Sequence, residues 1–324
     1  MKESNHKLFE AVKWIVTLAA YGFLVYKLAH IEYRDELKHT LLSMNGIRIG
    51  FLLAVILIMP LNWLLETRKW QLLTSSTVKL SFRTSLKGVL AGLCTGFVTP
   101  NRFGDFAGRV FFLPDSCRLT GVLLSFINSV SQSLVVTLFG VIGAGFYVSK
   151  FYPDINYPAY LIVVLLVLVL CGSLYYAFPG LVRKIFSGKW AIKLRQAAIP
   201  VSKLSLKSLI LFLIISVIRY VVFCTQFYFM LKFFGIEVSA LQALSAIPAM
   251  YLLITFTPSY AVSDAAVRGS YAVLIFGVYS ANIMGITLTG ILVWLINFVI
   301  PMLAGSFFVL KAKSWKSVES TSQE

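Results

Sequence analysis

The stretch TPNRFGDFAGR (residues 99–109) stands between two apolar runs, GVLAGLCTGFV before it and VFFLP after it. It brings a proline, two arginines and an aspartate into the middle of a hydrophobic chain. A surface loop is the simplest explanation of so polar a stretch. Charged residues within apolar sequence are, however, typical of the interior of membrane proteins, where they face a cavity or pair with one another. The rest of the sequence decides between these explanations.

The whole chain has the composition of a polytopic membrane protein. Its 324 residues are 58% hydrophobic and only 13% charged, whereas about a quarter of the residues of a soluble domain are charged. The apolar residues form long blocks, which predict membrane-spanning helices. We therefore expect an all-α fold and one integral membrane domain over residues 1–324. The first block lacks a small-residue cleavage site, so we expect a retained helix and not a signal peptide.

The net charge of +16 does not indicate nucleic-acid binding. The Lys and Arg residues gather beside the apolar blocks, as the positive-inside rule describes, and they are not interleaved with stacking aromatics in a polar segment. Attraction to anionic lipid headgroups is the better explanation. The four cysteines are scattered and the three histidines all lie near the N-terminus, so the sequence predicts no metal site and no cofactor.

Six apolar blocks are long enough to cross a bilayer, which takes about 20 helical residues. These predicted spans are residues 14–29, 47–65, 121–147, 158–178, 208–233 and 281–310. The last block exceeds the thickness of the hydrocarbon core, and we expect a helix that is kinked at Pro301. Two further apolar runs, residues 86–98 and 241–256, are too short to span, and each leads into Thr-Pro.

The distribution of Lys and Arg predicts the sidedness of the connecting segments. Residues 66–87 carry five of them and residues 179–207 carry seven with no acid. We expect both segments and both termini to be cytoplasmic, with residues 179–207 forming a basic amphipathic linker on the membrane surface or a solvated loop. Each short apolar run must then return to the side that it entered from. We therefore predict two re-entrant helical hairpins that enter from opposite faces of the membrane.

The two short runs lead into the same pattern of residues. The shared residues are Thr99, Pro100, Asp105 and Arg109 after the first run and Thr257, Pro258, Asp264 and Arg268 after the second. Each aspartate precedes its arginine by four residues, so the two share a helix face and can pair. We interpret residues 47–147 and 208–310 as the units of an inverted-topology repeat, which is a plan of many secondary transporters.

These features predict an anion site at mid-membrane depth. A half-helix begun by Thr-Pro would present free backbone N–H groups and the positive end of its dipole. The guanidinium groups of Arg102, Arg109 and Arg268 can each bind two phosphate oxygens. The alternative is that each Asp–Arg pair only neutralises itself and locks its hairpin. The sequence leaves both interpretations open.

Further polar residues lie inside the predicted spans. Arg219 is too deep to reach the membrane surface easily, so it requires a partner or a cavity, and Asp105 and Asp264 are the expected partners. Asn128 and Gln132 belong to a polar face of the span over residues 121–147. They serve either interhelical hydrogen bonds or a substrate path.

The first polar stretch resembles a signature of a known family. TPNRFGDFAGR is similar to the P-x-R-x-G-E-x-x-R pattern of the membrane domain of the lysylphosphatidylglycerol synthase/flippase family, and FTPSYAVSDAAVRGSYAVLIFG is similar to its second, proline-led signature. The resemblance covers residues 14–310 and implies a module that moves aminoacylated phosphatidylglycerol between leaflets. The site residues that it implies are Pro100, Arg102, Gly104, Asp105, Arg109, Pro258 and Asp264. Arg268 is added by the internal repeat alone.

The chain departs from the family pattern in three ways. Both acids are Asp where the family usually has Glu, and the second motif lacks its glycines. The chain also ends soon after the last predicted span, so we expect the soluble aminoacyl-transfer domain of the family to be absent. These departures leave the identity of the transported lipid open.

We therefore predict a flippase-like lipid transporter in the cytoplasmic membrane of a prokaryote, and not an enzyme. Its expected partners are membrane lipids with anionic phospholipid headgroups, and the sequence leaves open whether copies associate into a homo-oligomer. A P-loop is absent from the sequence, so movement would be facilitated or coupled to an ion gradient through Asp105 or Asp264. The alternatives are an intramembrane lipid-modifying enzyme, a small-solute secondary carrier and an accessory subunit.

Overall fold

In the computed structural model, the regular elements of the described residues are all helical, which confirms the all-α fold class. The structure describes residues 45–97, 99, 102–151, 157–185, 192–258 and 261–311. The α-helices are α1 (Gly46–Thr74), α2 (Phe82–Phe97), α3 (Gly104–Val110), α4 (Arg118–Phe151), α5 (Tyr157–Ile185), α6 (Ile192–Ser202), α7 (Leu206–Phe233), α8 (Ala240–Phe256), α9 (Ala261–Phe276), α10 (Ile283–Trp294) and α11 (Ile300–Lys311). A short 3₁₀ turn precedes α4, and a π turn joins α10 to α11.

Five helical segments of the described residues are long and apolar enough to cross a membrane, which makes the chain a polytopic membrane protein. They are Gly46–Thr74, Asp115–Phe151, Ala159–Val182, Leu206–Phe233 and Ile283–Leu310. Each overlaps one of the predicted spans. The sixth predicted span, residues 14–29, lies outside the described residues, as do the two termini.

Helix α1 is longer than its apolar block. The block ends at residue 65, but the helix continues through Glu66 and Lys69 to Thr74, and both charged side chains are fully buried. They lie one turn apart on the face that also buries Trp70. Lys69, one of the five cations of residues 66–87, is thus buried in the protein, where partners offset the cost of burying its charge.

The last span is interrupted one turn earlier than the position of its proline. The interruption is the π turn Leu295–Val299, and Pro301 is already the second residue of α11. Because proline has no N–H group, Pro301 cannot donate to the carbonyl of Asn297. The wider π turn accommodates this gap in the hydrogen-bonding pattern of the helix. The irregularity observed before Pro301 is this π turn, which carries Asn297 and Phe298, and the kink at Pro301 stays a prediction.

Helices α2 and α3 form an antiparallel helical hairpin whose backbones lie unusually close. A Cβ atom at Gly92 of α2 would collide with the Asp105 carboxylate and lie 2.8 Å from Cγ of Arg109. A Cβ atom at Gly108 of α3 would lie 2.5 Å from the carbonyl oxygen of Ala91. Glycine is therefore required at both positions, and this close packing lays the Asp105–Arg109 pair against α2.

In the described residues, the first α-helix after Thr99 begins five residues further along the chain. Helix α3 begins at Gly104, whose N–H donates to the Thr99 hydroxyl at 2.7 Å, and whose carbonyl accepts from the Thr95 hydroxyl at 2.6 Å. The first N–H group of α3 is thus not free, because the Thr99 side chain accepts from it, whereas free N–H groups directly after Thr-Pro stay a prediction. Pro100 lies outside the described residues.

Helices α8 and α9 follow each other through the second Thr-Pro. The Thr257 and Tyr271 hydroxyls are hydrogen-bonded at 2.7 Å, which ties the end of α8 to α9. Pro258 is exposed and precedes the first described residue of α9, Ala261. The predicted position of Pro258 within the first helical turn is therefore not observed in the described residues.

The helices pack crosswise between the two halves of the chain. Helix α1 packs along α7, and these are the helices that precede the two short pairs. Helix α2 packs against α11 and α8 packs against α4, so the first helix of each pair contacts the span that follows the other pair. Both contacts use glycines, since a Cβ atom at Gly305 would collide with the Leu90 carbonyl, and one at Gly143 would lie 2.7 Å from Cβ of Pro248.

The contact between α2 and α11 can be tested by adding one methyl group. We expect Gly305→Ala to lower the free energy of unfolding by about 1–3 kcal/mol, because the Leu90 backbone cannot yield without moving the helix. Thermal unfolding of the purified protein in detergent measures the change. The matched control is Gly50→Ala, where a Cβ atom meets open space and a small gain from helix propensity is expected. Equal midpoints for the two variants would contradict this packing.

Candidate functional site

The buried carboxylate of Glu66 lies at the centre of a polar cluster between the helices. Its Oε1 is 2.6 Å from Nη2 of Arg109 and accepts a hydrogen bond from Nδ2 of Asn128 at 2.7 Å. Its Oε2 accepts a hydrogen bond from Nη1 of Arg219. The side chain of Glu66 is 2% exposed. Helices α1, α3, α4 and α7 therefore meet at one carboxylate.

Arg219 is paired with Glu66, and not with either predicted aspartate. Its Nε also donates to Oδ1 of Asn62 at 2.9 Å, so these two partners lie one turn apart on α1. The pairing follows from the packing of α7 along α1. Asp105 interacts with Arg219 only through its longer-range charge. The prediction of Asp105 or Asp264 as the direct partner is therefore wrong.

The two predicted pairs at four-residue spacing are both present. Asp105 accepts from Nε of Arg109 at 3.0 Å and from Nη2 at 2.8 Å, a bidentate arrangement. Asp264 accepts from Nε of Arg268 at 3.2 Å. Arg109 thus bridges Asp105 and Glu66. Its remaining terminal nitrogen, Nη1, is buried without a hydrogen-bond acceptor among the described residues.

Asn128 and Gln132 make interhelical hydrogen bonds to the charged cluster. Asn128 donates to Glu66, and Oε1 of Gln132 accepts from Arg219 at 3.2 Å. The interhelical alternative for this polar face is thus present in the structure. Because both side chains also line the cavity described below, the substrate-path alternative remains compatible with it.

Lys69 adds a second buried cation one turn along α1 from Glu66. Its ammonium group donates to the carbonyl of Asn128 at 3.0 Å and to Oγ of Ser216 at 2.6 Å. In the described part of the chain it makes no direct ion pair, and it interacts with Glu66 through its longer-range charge. It holds α4 and α7 against α1 by hydrogen bonds to neutral oxygens.

The short pairs α2–α3 and α8–α9 approach each other at Phe298. The guanidinium of Arg102 lies 3.9 Å from the centre of this ring and that of Arg268 lies 5.1 Å from it, within the range of cation–π interactions. Arg102 has φ +62°, a conformation that non-glycine residues rarely adopt outside functional sites and tight turns. Among the described carboxylates, Arg102 has no direct ion pair, although Asp105 and Asp264 both act on it electrostatically.

A cavity of about 790 Å³ joins these groups. Its charged and amide lining consists of Glu66, Arg102, Asp105, Arg109, Asn128, Gln132 and Arg219. Most of the remaining lining is apolar and comes from α4, α5 and several phenylalanines, including Phe298. The cavity therefore has a buried charged wall and an apolar wall.

The structure brings together only part of the predicted site. Asp264 and Arg268 pair outside the lining of this cavity, and Pro258 is also outside it. Gly104 has a packing role, because a Cβ atom there would collide with the backbone of Thr95. Pro100 lies outside the described residues, so its place in the site stays a prediction.

Sequence reasoning missed Glu66, Lys69 and Phe298. Glu66 and Lys69 directly follow an apolar block, so they look like the start of a loop. The sequence pattern that could have identified them is their helical spacing from Asn62. Glu66 and Lys69 follow Asn62 by four and seven residues, so all three fall on the same helix face. Phe298 had no such signal, because it is one phenylalanine among 26.

The central role of Glu66 predicts a large loss of stability in Glu66→Gln. This change leaves two buried guanidinium groups without a shared carboxylate, and breaking a buried ion pair costs about 3–5 kcal/mol. The control is Arg118→Gln, which breaks the exposed pair with Asp115 and should cost about 1 kcal/mol or less. Thermal unfolding in detergent compares the two. A loss in Glu66→Gln no larger than that of the control would overturn the assignment.

The chain matches one family model over nearly all its length. The model is described as Lysylphosphatidylglycerol synthase TM region, and it matches residues 14–305. No curated protein and no solved structure matches the chain.

Proposed function

Because the chain belongs to the family of lysylphosphatidylglycerol synthase TM regions, we propose that it is a flippase-like transporter that moves an anionic phospholipid headgroup between membrane leaflets. The observation that carries this proposal is the cavity with a buried guanidinium wall and an apolar wall. Phospholipids have the same division, with a phosphate at one end and hydrocarbon at the other. The cytoplasmic membrane is the proposed location, with both termini on the cytoplasmic side.

The charge of the cavity favours an anionic headgroup over a zwitterionic one. Three arginines and two carboxylates line it, which leaves one positive charge in excess. Arg102 has no ion pair in the described part of the chain, so its guanidinium group is available to a ligand, and Nη1 of Arg109 is a second donor without an acceptor there, although it is buried. A phosphodiester would supply the missing negative charge and acceptor oxygens.

The hydrogen bonds of the two carboxylates that line the cavity favour transport of the lipid over its chemical modification. Asp105 accepts both bonds from Arg109, and Glu66 accepts from Arg109, Arg219 and Asn128. A general base must be free to take a proton from its substrate. Neither carboxylate is free in this way, so we propose that the protein is not an enzyme.

We propose that the two short helical pairs are re-entrant hairpins of an inverted-topology repeat. Helix α2 has 16 residues and α3 has 7, which correspond to about 24 Å and about 10 Å, less than the roughly 30 Å hydrocarbon core. The crosswise contacts of α2 with α11 and of α8 with α4 support the repeat, since a two-fold relation exchanges these pairs. Such a repeat offers two equivalent arrangements, which alternating access requires.

The transport site predicts a specific loss of lipid movement in Arg102→Gln. We expect transfer of an anionic fluorescent phospholipid between leaflets to slow by roughly tenfold or more, because a charge-assisted hydrogen bond contributes about 1.5–3 kcal/mol. Proteoliposomes and a membrane-impermeant quencher measure the rate. Arg118→Gln, an exposed cation outside the cavity lining, is the control and should transport normally. A wild-type rate in Arg102→Gln would refute the headgroup site.

The proposed re-entry predicts which loops share a side of the membrane. Single cysteines at Ser76 and Ser116 flank the first pair, and those at Glu237 and Ser280 flank the second. In a background without the native cysteines, we expect a membrane-impermeant maleimide to label the first two from one side and the last two from the other. Labelling of Ser76 and Ser116 from opposite sides would show that the first pair crosses the membrane, and the repeat would fail.

A further inference from the structure

We propose that the apolar wall of the cavity is a lateral portal between α4 and α5 that receives an acyl chain of the transported lipid. The inference rests on the proposed function, since it assigns the hydrocarbon part of the same substrate. It concerns the α4 and α5 residues that line the same cavity as the guanidinium groups.

Two contacts between α4 and α5 limit the portal. At one end, Gly145 lies against the ring of Tyr160, where a Cβ atom would be 2.6 Å from Cε1. At the other end, the rings of Phe126 and Phe178 stack with their centres 5.2 Å apart. Between these contacts the cavity is lined by Val130, Ser133, Leu134 and Thr137 of α4 and by Cys171, Leu174 and Tyr175 of α5.

The length of the portal fits one lipid chain. The lining residues of α4 extend from Phe126 to Thr137, a rise of about 16 Å at 1.5 Å per residue. Half of the hydrocarbon core, the depth of one leaflet, is about 15 Å. An acyl chain that enters from one leaflet can therefore lie along the portal while its headgroup reaches the charged wall.

The rim of the cavity is apolar and its charges lie deeper. Phe103, Leu174 and Phe256 line it and are 63%, 52% and 66% exposed, whereas Glu66 and Arg109 are buried. Hydrocarbon passes an apolar rim at no cost in desolvation, but a small soluble anion would lose its hydration there. This arrangement favours an amphiphile whose chain occupies the portal.

Helix α5 lies at the edge of the described helices, which places the portal beside the bilayer. Only 11% of its central segment is buried, the lowest share among the described candidate spans. Its cavity-lining residues Cys171, Leu174 and Tyr175 share one face, while Leu165 and Leu166 are more than 60% exposed. Among the helices that the structure describes, the outer wall of the portal is thus a single helix whose other face is exposed.

The test uses the full protein in phosphatidylglycerol–phosphatidylcholine vesicles with a trace of phosphatidylglycerol that carries a diazirine on its acyl chain. After irradiation, peptide mapping locates the attached lipid. We expect labelling of residues 130–137 and 171–175 to exceed that of the lipid-facing residues 165–166 severalfold. Filling the portal by Cys171→Trp should lower portal labelling severalfold and slow lipid transfer. The matched control, Leu165→Trp on the outer face of α5, should change neither.

The outcomes of this experiment distinguish a failure of the portal proposal from a failure of the proposed transport function. Portal labelling no stronger than that of residues 165–166, or unchanged in Cys171→Trp, would overturn the portal even if the wild type transfers lipid. Strong portal labelling in a wild type that transfers no lipid would support the portal and refute transport. Ser133→Phe fills the same space from α4, so it replaces Cys171→Trp if that variant does not fold. Arg102→Gln should lose transfer and keep portal labelling.

Discussion

The pairing of two buried guanidinium groups with one carboxylate is the interaction on which the other contacts depend. Burying an ion costs several kcal/mol unless a partner and further hydrogen bonds offset it. Glu66 of α1 supplies this partner to Arg109 of α3 and to Arg219 of α7. Because two opposing helices share its two oxygens, the carboxylate sets how α1, α3 and α7 lie relative to one another. Lys69 and Asn128 extend the same arrangement to α4.

A second junction joins the two short helical pairs without a shared carboxylate. The π turn that precedes Pro301 places Phe298 between Arg102 and Arg268. A ring face attracts both cations but holds each weakly compared with an ion pair. The strained backbone of Arg102 is consistent with a residue that is positioned for a ligand more than for stability. Strong contacts therefore surround the charged cluster, and a weaker contact lies where the two pairs meet.

These two junctions explain why the cavity is divided into a charged wall and an apolar wall. The ion pairs hold α1, α3 and α7 together and leave a guanidinium surface on one side. On the other side, α4 and α5 make contact at Gly145–Tyr160 and at Phe126–Phe178 and leave space between. Such a division suits a lipid better than a small solute, which has no hydrocarbon to place. The proposed headgroup site and the proposed portal are thus two parts of one cavity.

The sequence by itself determined the helical class, the five described spans and the two Asp–Arg pairs, because these depend on hydropathy and on short-range spacing along the chain. Hydropathy marks spans, and four-residue spacing places Asp105 beside Arg109 whatever surrounds them. Only the tertiary structure decided the partner of Arg219, the role of Glu66 and Lys69, and the place of Phe298. These depend on which helices pack together, and crosswise packing brings residues into contact that lie more than 150 positions apart. A charge at the end of an apolar block is the same in sequence whether it meets water or a buried arginine, so its environment is set by the fold.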